Sequence, residues 1–327
     1  MPSFVSAFFI FLFFSFSPVR VWAQEPTAEY GELVLRAWQH TYPEKVSALA
    51  WQDGDWTIRA GDETFYWAEG RLLPAAQRNE VERWSPHVFD FYPPIVPPPE
   101  IFSPLYIESL RREAAAESRT DRDNFHRAFQ GKIYGGLTRN EAEANLARLN
   151  FLGKPLAVHR DIVPALARVE ESILKAAAGD KECAAFVISV GQVGGYNWRE
   201  IQGTARMSYH SWGLAVDIQP ERLGSKAIYW RWEQARNPDW MLIPLERRWS
   251  PPAAVIRAFE NEGFIWGGKW GLFDNMHFEF RPELHEINRL LMSDTIKTAA
   301  TRGQQNPPQP TGRDLHHLYP ADIKIRN

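Results

Sequence analysis

Two short segments hold residues whose types and spacing could do hydrolytic chemistry. The first reads Ser208-Tyr209-His210-Ser211-Trp212-Gly213-Leu214-Ala215-Val216-Asp217-Ile218, and the second reads Trp266-Gly267-Gly268-Lys269-Trp270-Gly271-Leu272-Phe273-Asp274-Asn275-Met276-His277-Phe278-Glu279-Phe280. Between them, His210, Asp217 and His277 offer two imidazoles and one carboxylate. That is the donor count of a catalytic zinc site, three protein ligands with a fourth position open to water. A zinc ion held this way lowers the pKa of its water to about 7 and polarises a peptide carbonyl. Hydrolysis also needs a general base within hydrogen-bond reach of that water. Asp274, ahead of His277, and Glu279, just after it, are the candidates.

The elements that must position these groups are legible from alternation. Leu214, Val216 and Ile218 alternate with Ala215 and Asp217, which predicts a strand with Asp217 on the face opposite the large apolar side chains. Small Ala215 leaves room beside the carboxylate. Gly213 lets the chain turn just before that strand and bring His210 back over its start. Met276, Phe278 and Phe280 alternate with His277 and Glu279, predicting a second strand with one apolar and one polar face. If both polar faces look into one cleft, the three ligands converge there.

The combination Ser208-x-His210-x-x-Gly213-x-Ala215-x-Asp217 with Asp274-x-x-His277-Phe278-Glu279 closely resembles the zinc D-alanyl-D-alanine carboxypeptidases of the VanY type and the related L-alanyl-D-glutamate endopeptidases of phage lysins. The likeness spans roughly residues 149 to 290. It implies zinc on His210, Asp217 and His277, Asp274 as the base, and a hedgehog-like small antiparallel sheet with flanking helices around a zinc cleft. Many members carry Glu at the base position, whereas the endopeptidase branch often carries Asp, as here. The family also uses an upstream arginine to bind substrate. Gly195-Tyr196-Asn197-Trp198-Arg199 resembles that segment and points to Arg199, with Arg206 as competitor, and Ser208 is expected to contact substrate. Glu279 is expected to orient a ligand rather than act as the base. The implied substrate is a peptidoglycan stem peptide, cut next to a D-amino acid.

The remaining sequence sets the frame. With 327 residues, net charge -3 and no basic excess, the chain offers no electrostatic case for a nucleic-acid partner. One cysteine, Cys183, can neither close an intramolecular disulfide nor found a Cys-rich zinc site. Residues 1–23, with an apolar run from Phe8 to Phe14 and Val21-Trp22-Ala23 at the end, read as an export signal. Arg20 stops that run short of the roughly 20 apolar residues of a membrane span. A periplasmic or extracellular enzyme, not inserted in a membrane once the signal is removed, is the expectation.

The element order predicts an α+β protein. A small module over residues 24–100 combines a helix from Tyr30 to His40 with strand-like runs at 48–51, 56–58 and 64–67, ending in the stiff Pro93–Pro99 stretch. A charged helical connector follows at 101–148, then the peptidase domain at 149–300 and a polar tail at 301–327 expected to be disordered. In the peptidase part, strands are expected at 155–158 and 185–190 and a helix at 162–177. His40, His87, His126, His159 and His285 are expected in surface or core roles. Trp230, Trp232, Trp240 and Trp249 are read as core rather than as an aromatic wall for a glycan or peptide.

Overall fold

The computed structural model describes residues 27–87, 89, 91–115, 125–202, 204 and 206–301. The export signal expected at 1–23 and all of the expected tail beyond Thr301 lie outside them. Thr27 caps helix α1 (Ala28–Thr41), its hydroxyl accepting from the Tyr30 N–H at 3.2 Å. Tyr30, Val34, Leu35 and Trp38 recur at helical spacing and are buried along one stripe. Strands β1 (Val46–Gln52), β2 (Asp55–Ala60), β3 (Glu63–Tyr66) and β4 (Leu73–Pro74) follow as an antiparallel sheet in sequential order. The two-residue Asp53-Gly54 link has φ of +52° and +82°, the left-handed pair that a tight primed hairpin turn requires.

The Pro-rich stretch is docked on the body. Tyr92, at its start, accepts at its hydroxyl from the Trp266 N–H at 2.9 Å, and Lys269 donates to the Pro94 carbonyl at 2.9 Å. Ser103 then caps α2 (Pro104–Ala114), and α3 spans Ala128–Tyr134. Among the described residues the expected helical connector at 101–148 is therefore helical only in separate pieces, with the backbone already extended at Ala115 and a strand begun at Leu146.

Next come α4 (Arg139–Glu143), the hairpin β5 (Leu146–Phe151) and β6 (Lys154–His159), and α5 (Val163–Ala177). The segment expected as a strand over 185–190 is instead the second half of α6 (Lys181–Ser189), and only Val190 belongs to a strand. Asp180 starts this helix by accepting from the N–H groups of Glu182 and Cys183. Cys183 and Phe186 then face inward while Ile188 is 80% exposed. A short apolar run carries no period that separates a strand from a helix, and here the cap decides.

The sheet that matters for function contains β7 (Val190–Gly194), β8 (Ala215–Pro220), β10 (His277–Phe280) and β9 (Phe264–Trp266), in that spatial order and antiparallel throughout. Between β8 and β9 lies α7 (Trp230–Gln234), followed by α8 (Ala253–Asn261); α9 (Pro282–Thr301) follows β10. Val216 and Phe278 pair across β8 and β10 and point into the core, where Phe278 stacks on Phe259 of α8 with ring centroids 4.0 Å apart. Fully burying side chains of this size contributes about 1.5–3 kcal/mol each. Register puts His277 opposite Asp217 and Glu279 opposite Ala215, so all four share the other face. One continuous core runs from Tyr30, Trp38 and Phe65 of the N-terminal elements to Phe259, Phe278 and Ile287 of the C-terminal ones. Among the described residues no helix is long and apolar enough to cross a membrane.

Candidate active site

His210 sits on a single 3-10 turn, Tyr209–Trp212, between two local devices. Ser208 caps it by accepting from the His210 N–H at 3.3 Å, and Gly213 ends it at φ +69°. A Cβ at Gly213 would lie 2.5 Å from the His159 nitrogen and 2.9 Å from the Val158 carbonyl carbon. Only glycine meets both the backbone angle and the space. Ser211 ties the turn to the loop after β7, accepting from the Arg199 N–H at 2.9 Å and donating to the Arg199 carbonyl at 2.7 Å.

The ring nitrogens have divided roles. His210 Nδ1 lies 2.6 Å from the Gly195 carbonyl, to which it can only donate, so Nε2 is left to face the centre. His277 Nε2 lies 3.0 Å from Glu279 Oε1 and directs Nδ1 inward. His210 Nε2 is 3.2 Å from His277 Nδ1 and 3.2 Å from Asp217 Oδ1, and His277 Nδ1 is 2.7 Å from the same oxygen. Donors about 2.0–2.1 Å from a shared tetrahedral ion stand about 3.3 Å from one another. Together with the two-imidazole, one-carboxylate chemistry, these separations fit a metal ion, and His210, Asp217 and His277 could hold one.

The electrostatics of these side chains follow from this crowding. Burial alone would raise the Asp217 carboxyl, but the charges and hydrogen bonds of His210 and His277 hold it well below the usual carboxylate range. Burial likewise opposes charge on His277, yet the bonds to Asp217 and Glu279 raise it well above the ordinary imidazole value. Glu279 is lowered against its own burial by the hydrogen bond and charge of His277.

Asp274 behaves oppositely. Burial pushes its carboxyl up to about 7, with the Asp217 charge adding to the rise and His277 and Arg199 opposing it. Its Oδ1 is buried and has no hydrogen-bond partner among the described residues. Hydrogen bonds tie the loop that carries it: the Asp274 N–H donates to the Gly267 carbonyl at 3.0 Å, the Asn275 side chain donates to the Trp249 carbonyl at 2.6 Å, and Trp266 Nε1 donates to the Asn275 carbonyl at 2.9 Å. A Cβ on Gly267 would lie 2.7 Å from the Asp274 carbonyl oxygen.

The other expected site residues are spread around this centre. Arg199 is exposed on the loop after β7, and its charge reaches Asp274. Arg206 lies with its guanidinium 5.6 Å from the centre of the Phe125 ring and acts on His87. Ser208 is buried and its hydroxyl is engaged in the cap. Trp230 and Trp240 belong to a satellite core with Tyr106, Met241 and Phe273, whereas Trp232 is 48% exposed. His159 and His285 are tied to backbone, His159 accepting from the Asp161 N–H and His285 donating to the Phe264 carbonyl.

Sequence reasoning missed Gly195, Ser211, Asn275 and Gly267, which hold the candidate ligand His210 or the loop of Asp274 in place. Gly267-Gly268 within the second segment was a visible signal of close backbone approach; the carbonyl contributed by Gly195 left no mark in residue type.

Residues 202–280 match a family model described as D-alanyl-D-alanine carboxypeptidase, a span that contains His210, Asp217, Asp274, His277 and Glu279 but begins after Arg199. Residues 34–89 match a model described as a domain of unknown function. No curated protein and no solved structure matches the chain. The first match supports a peptidase of the D-alanyl-D-alanine carboxypeptidase superfamily, a class of zinc peptidases.

Proposed function

We propose that the protein is an exported, zinc-dependent peptidase that hydrolyses amide bonds next to D-amino acids in peptidoglycan stem peptides, a VanY-type D-alanyl-D-alanine carboxypeptidase with a hedgehog-like zinc cleft. The observation that carries this reading is the convergence of ligand atoms from His210, Asp217 and His277, within the electrostatic reach of a buried carboxyl, Asp274, whose Oδ1 has no partner among the described residues. A zinc ion on His210, Asp217 and His277 would polarise the scissile carbonyl and acidify water at the open position. Asp274, poised near neutrality, takes the proton from the attacking water and returns it to the leaving amine. Arg199, exposed and with its charge felt at Asp274, would hold a substrate carboxylate. Glu279 keeps the His277 ring from rotating.

A second reading within the class is an endopeptidase cutting L-Ala-D-Glu or a cross-bridge, favoured by aspartate rather than glutamate at position 274. A non-catalytic zinc-containing cell-wall binding protein would have no use for that acid. Incubation of zinc-loaded protein with intact muropeptides, followed by mass spectrometry, separates the three: loss of one terminal alanine, release of a whole stem, or no cleavage. Export rests on residues 1–23, and N-terminal sequencing of the mature protein should begin at or near Gln24. Soluble cytoplasmic protein retaining Met1 would overturn it.

A further inference from the structure

A buried chain of charged and polar groups runs from the strand that bears His277 to the N-terminal elements. His277 Nε2 meets Glu279 Oε1, and the other oxygen of Glu279 lies 3.6 Å from the Arg281 guanidinium. Arg281 Nε donates to Glu283 Oε1, and the Tyr42 hydroxyl donates to Glu283 Oε2 at 3.3 Å. The chain is interior throughout: Glu283 is fully buried, and the Arg281 and Glu279 side chains are 11% exposed. Arg281 also lies 4.7 Å from the centre of the ring of Tyr209, the neighbour of His210. Tyr42 follows α1, with its ring stacked on Trp38 at 5.1 Å, and α1 packs along α9, whose first turn supplies Glu283.

Adhesion between two parts of a core does not call for this chemistry. Apolar side chains of similar volume hold surfaces together at least as well as buried ions, which must first be stripped of water. What such a chain does fix is direction. A ligating imidazole is oriented by the partner of its far nitrogen. Here that partner is anchored by Arg281, Arg281 by Glu283, and the second oxygen of Glu283 by Tyr42.

Resting on the peptidase reading, we infer that the N-terminal module is a working part of the metal site: Tyr42, acting through Glu283, Arg281 and Glu279, is a positioning residue for His277. This assigns a role within residues 34–89, which match a domain of unknown function.

The test is zinc affinity of the full-length protein, measured by competition with a chelating dye, for wild type, Tyr42→Phe, Glu283→Gln and Tyr30→Phe. Tyr30 is the control, since its hydroxyl donates to the Phe89 carbonyl at 2.7 Å in the same module but off the chain. Tyr42→Phe should weaken zinc by about threefold to tenfold, less than the 10- to 100-fold typical of direct partners of a ligand. Glu283→Gln should weaken it at least as far, and it carries the test if Tyr42→Phe does not fold. Tyr30→Phe should stay within about twofold of wild type. Wild-type affinity in both chain variants, or an equal loss in Tyr30→Phe, overturns the inference. A wild type that takes up no zinc, or His277→Ala that keeps it, overturns the peptidase reading itself.

Discussion

His277 and Glu279 stand two residues apart on one strand face, with Nε2 3.0 Å from Oε1, so the glutamate is already occupied in holding the ring that Asp217 faces from the other side. Asp274, on the preceding loop, interacts with His277 and Asp217 through charge alone, and its Oδ1 has no hydrogen-bond partner among the described residues. The two acids should therefore fail differently. Asp274→Asn should keep its zinc and fold while turnover drops by about 10²-fold to 10⁴-fold, the usual share of a general base. Glu279→Gln should weaken zinc by about 10- to 100-fold and lose less rate once saturated with metal. Steady-state kinetics with metal analysis checks this, and a metallated but inactive Glu279→Gln beside a nearly full-rate Asp274→Asn would make Glu279 the base.

Zinc binding should release protons at neutral pH. The Asp217 and Glu279 carboxylates raise the His277 imidazole against its burial, and a metal must compete with the proton they favour. Affinity should rise with pH and collapse below about pH 6, where free imidazoles also protonate. Calorimetric titrations in buffers of different ionisation enthalpy report the proton count. His210→Ala and His277→Ala should each lose most of the bound zinc.

Metal-free stability should carry the opposite sign to an ordinary salt-bridged aspartate. The Asp274 carboxyl titrates near 7 when folded and near its ordinary acidic value when unfolded. The unfolded chain therefore releases this proton first, and its contribution to stability, full below pH 4, is lost as pH rises towards 7 and beyond. The loss amounts to on the order of 4 kcal/mol. Asp274→Asn should melt above wild type at pH 8 in the presence of chelator, and the gap should close near pH 4. Equal melting temperatures at both pH values would remove the basis for a poised base.

Gly213→Ala should cost about 1–3 kcal/mol for the left-handed backbone alone, with the clash against His159 in addition. Because that residue ends the His210 turn, zinc affinity should fall together with the melting temperature. A variant with wild-type affinity would show that the turn tolerates displacement.

The shared face of Asp217 and His277 was legible because strand alternation is local: Val216 and Ile218, then Met276 and Phe278, declare which side the two residues occupy. The chain from His277 to Tyr42 was not, since Tyr42 and Glu283 are 241 residues apart and nothing in their types announces a partner. The strand expected at 185–190 failed for a local reason, an Asp180 cap outweighing an apolar run. The proline stretch reads as stiff and extended by itself, and only the contacts of Tyr92 and Lys269 reveal that it is fastened down.

The continuous core limits how this chain can be cut. Residues 202–280 contain β8, β9 and β10 but neither β7 nor α5, and Tyr209, Trp212 and Phe259 pack against Tyr134 and Phe151, which lie outside that segment. A fragment trimmed to the matched segment would expose an unpaired edge of β8 together with uncovered apolar surface, the usual recipe for aggregation. What reads as a portable catalytic cassette in sequence is physically one wall of a larger room, and recombining it with foreign neighbours would leave that wall standing in the open.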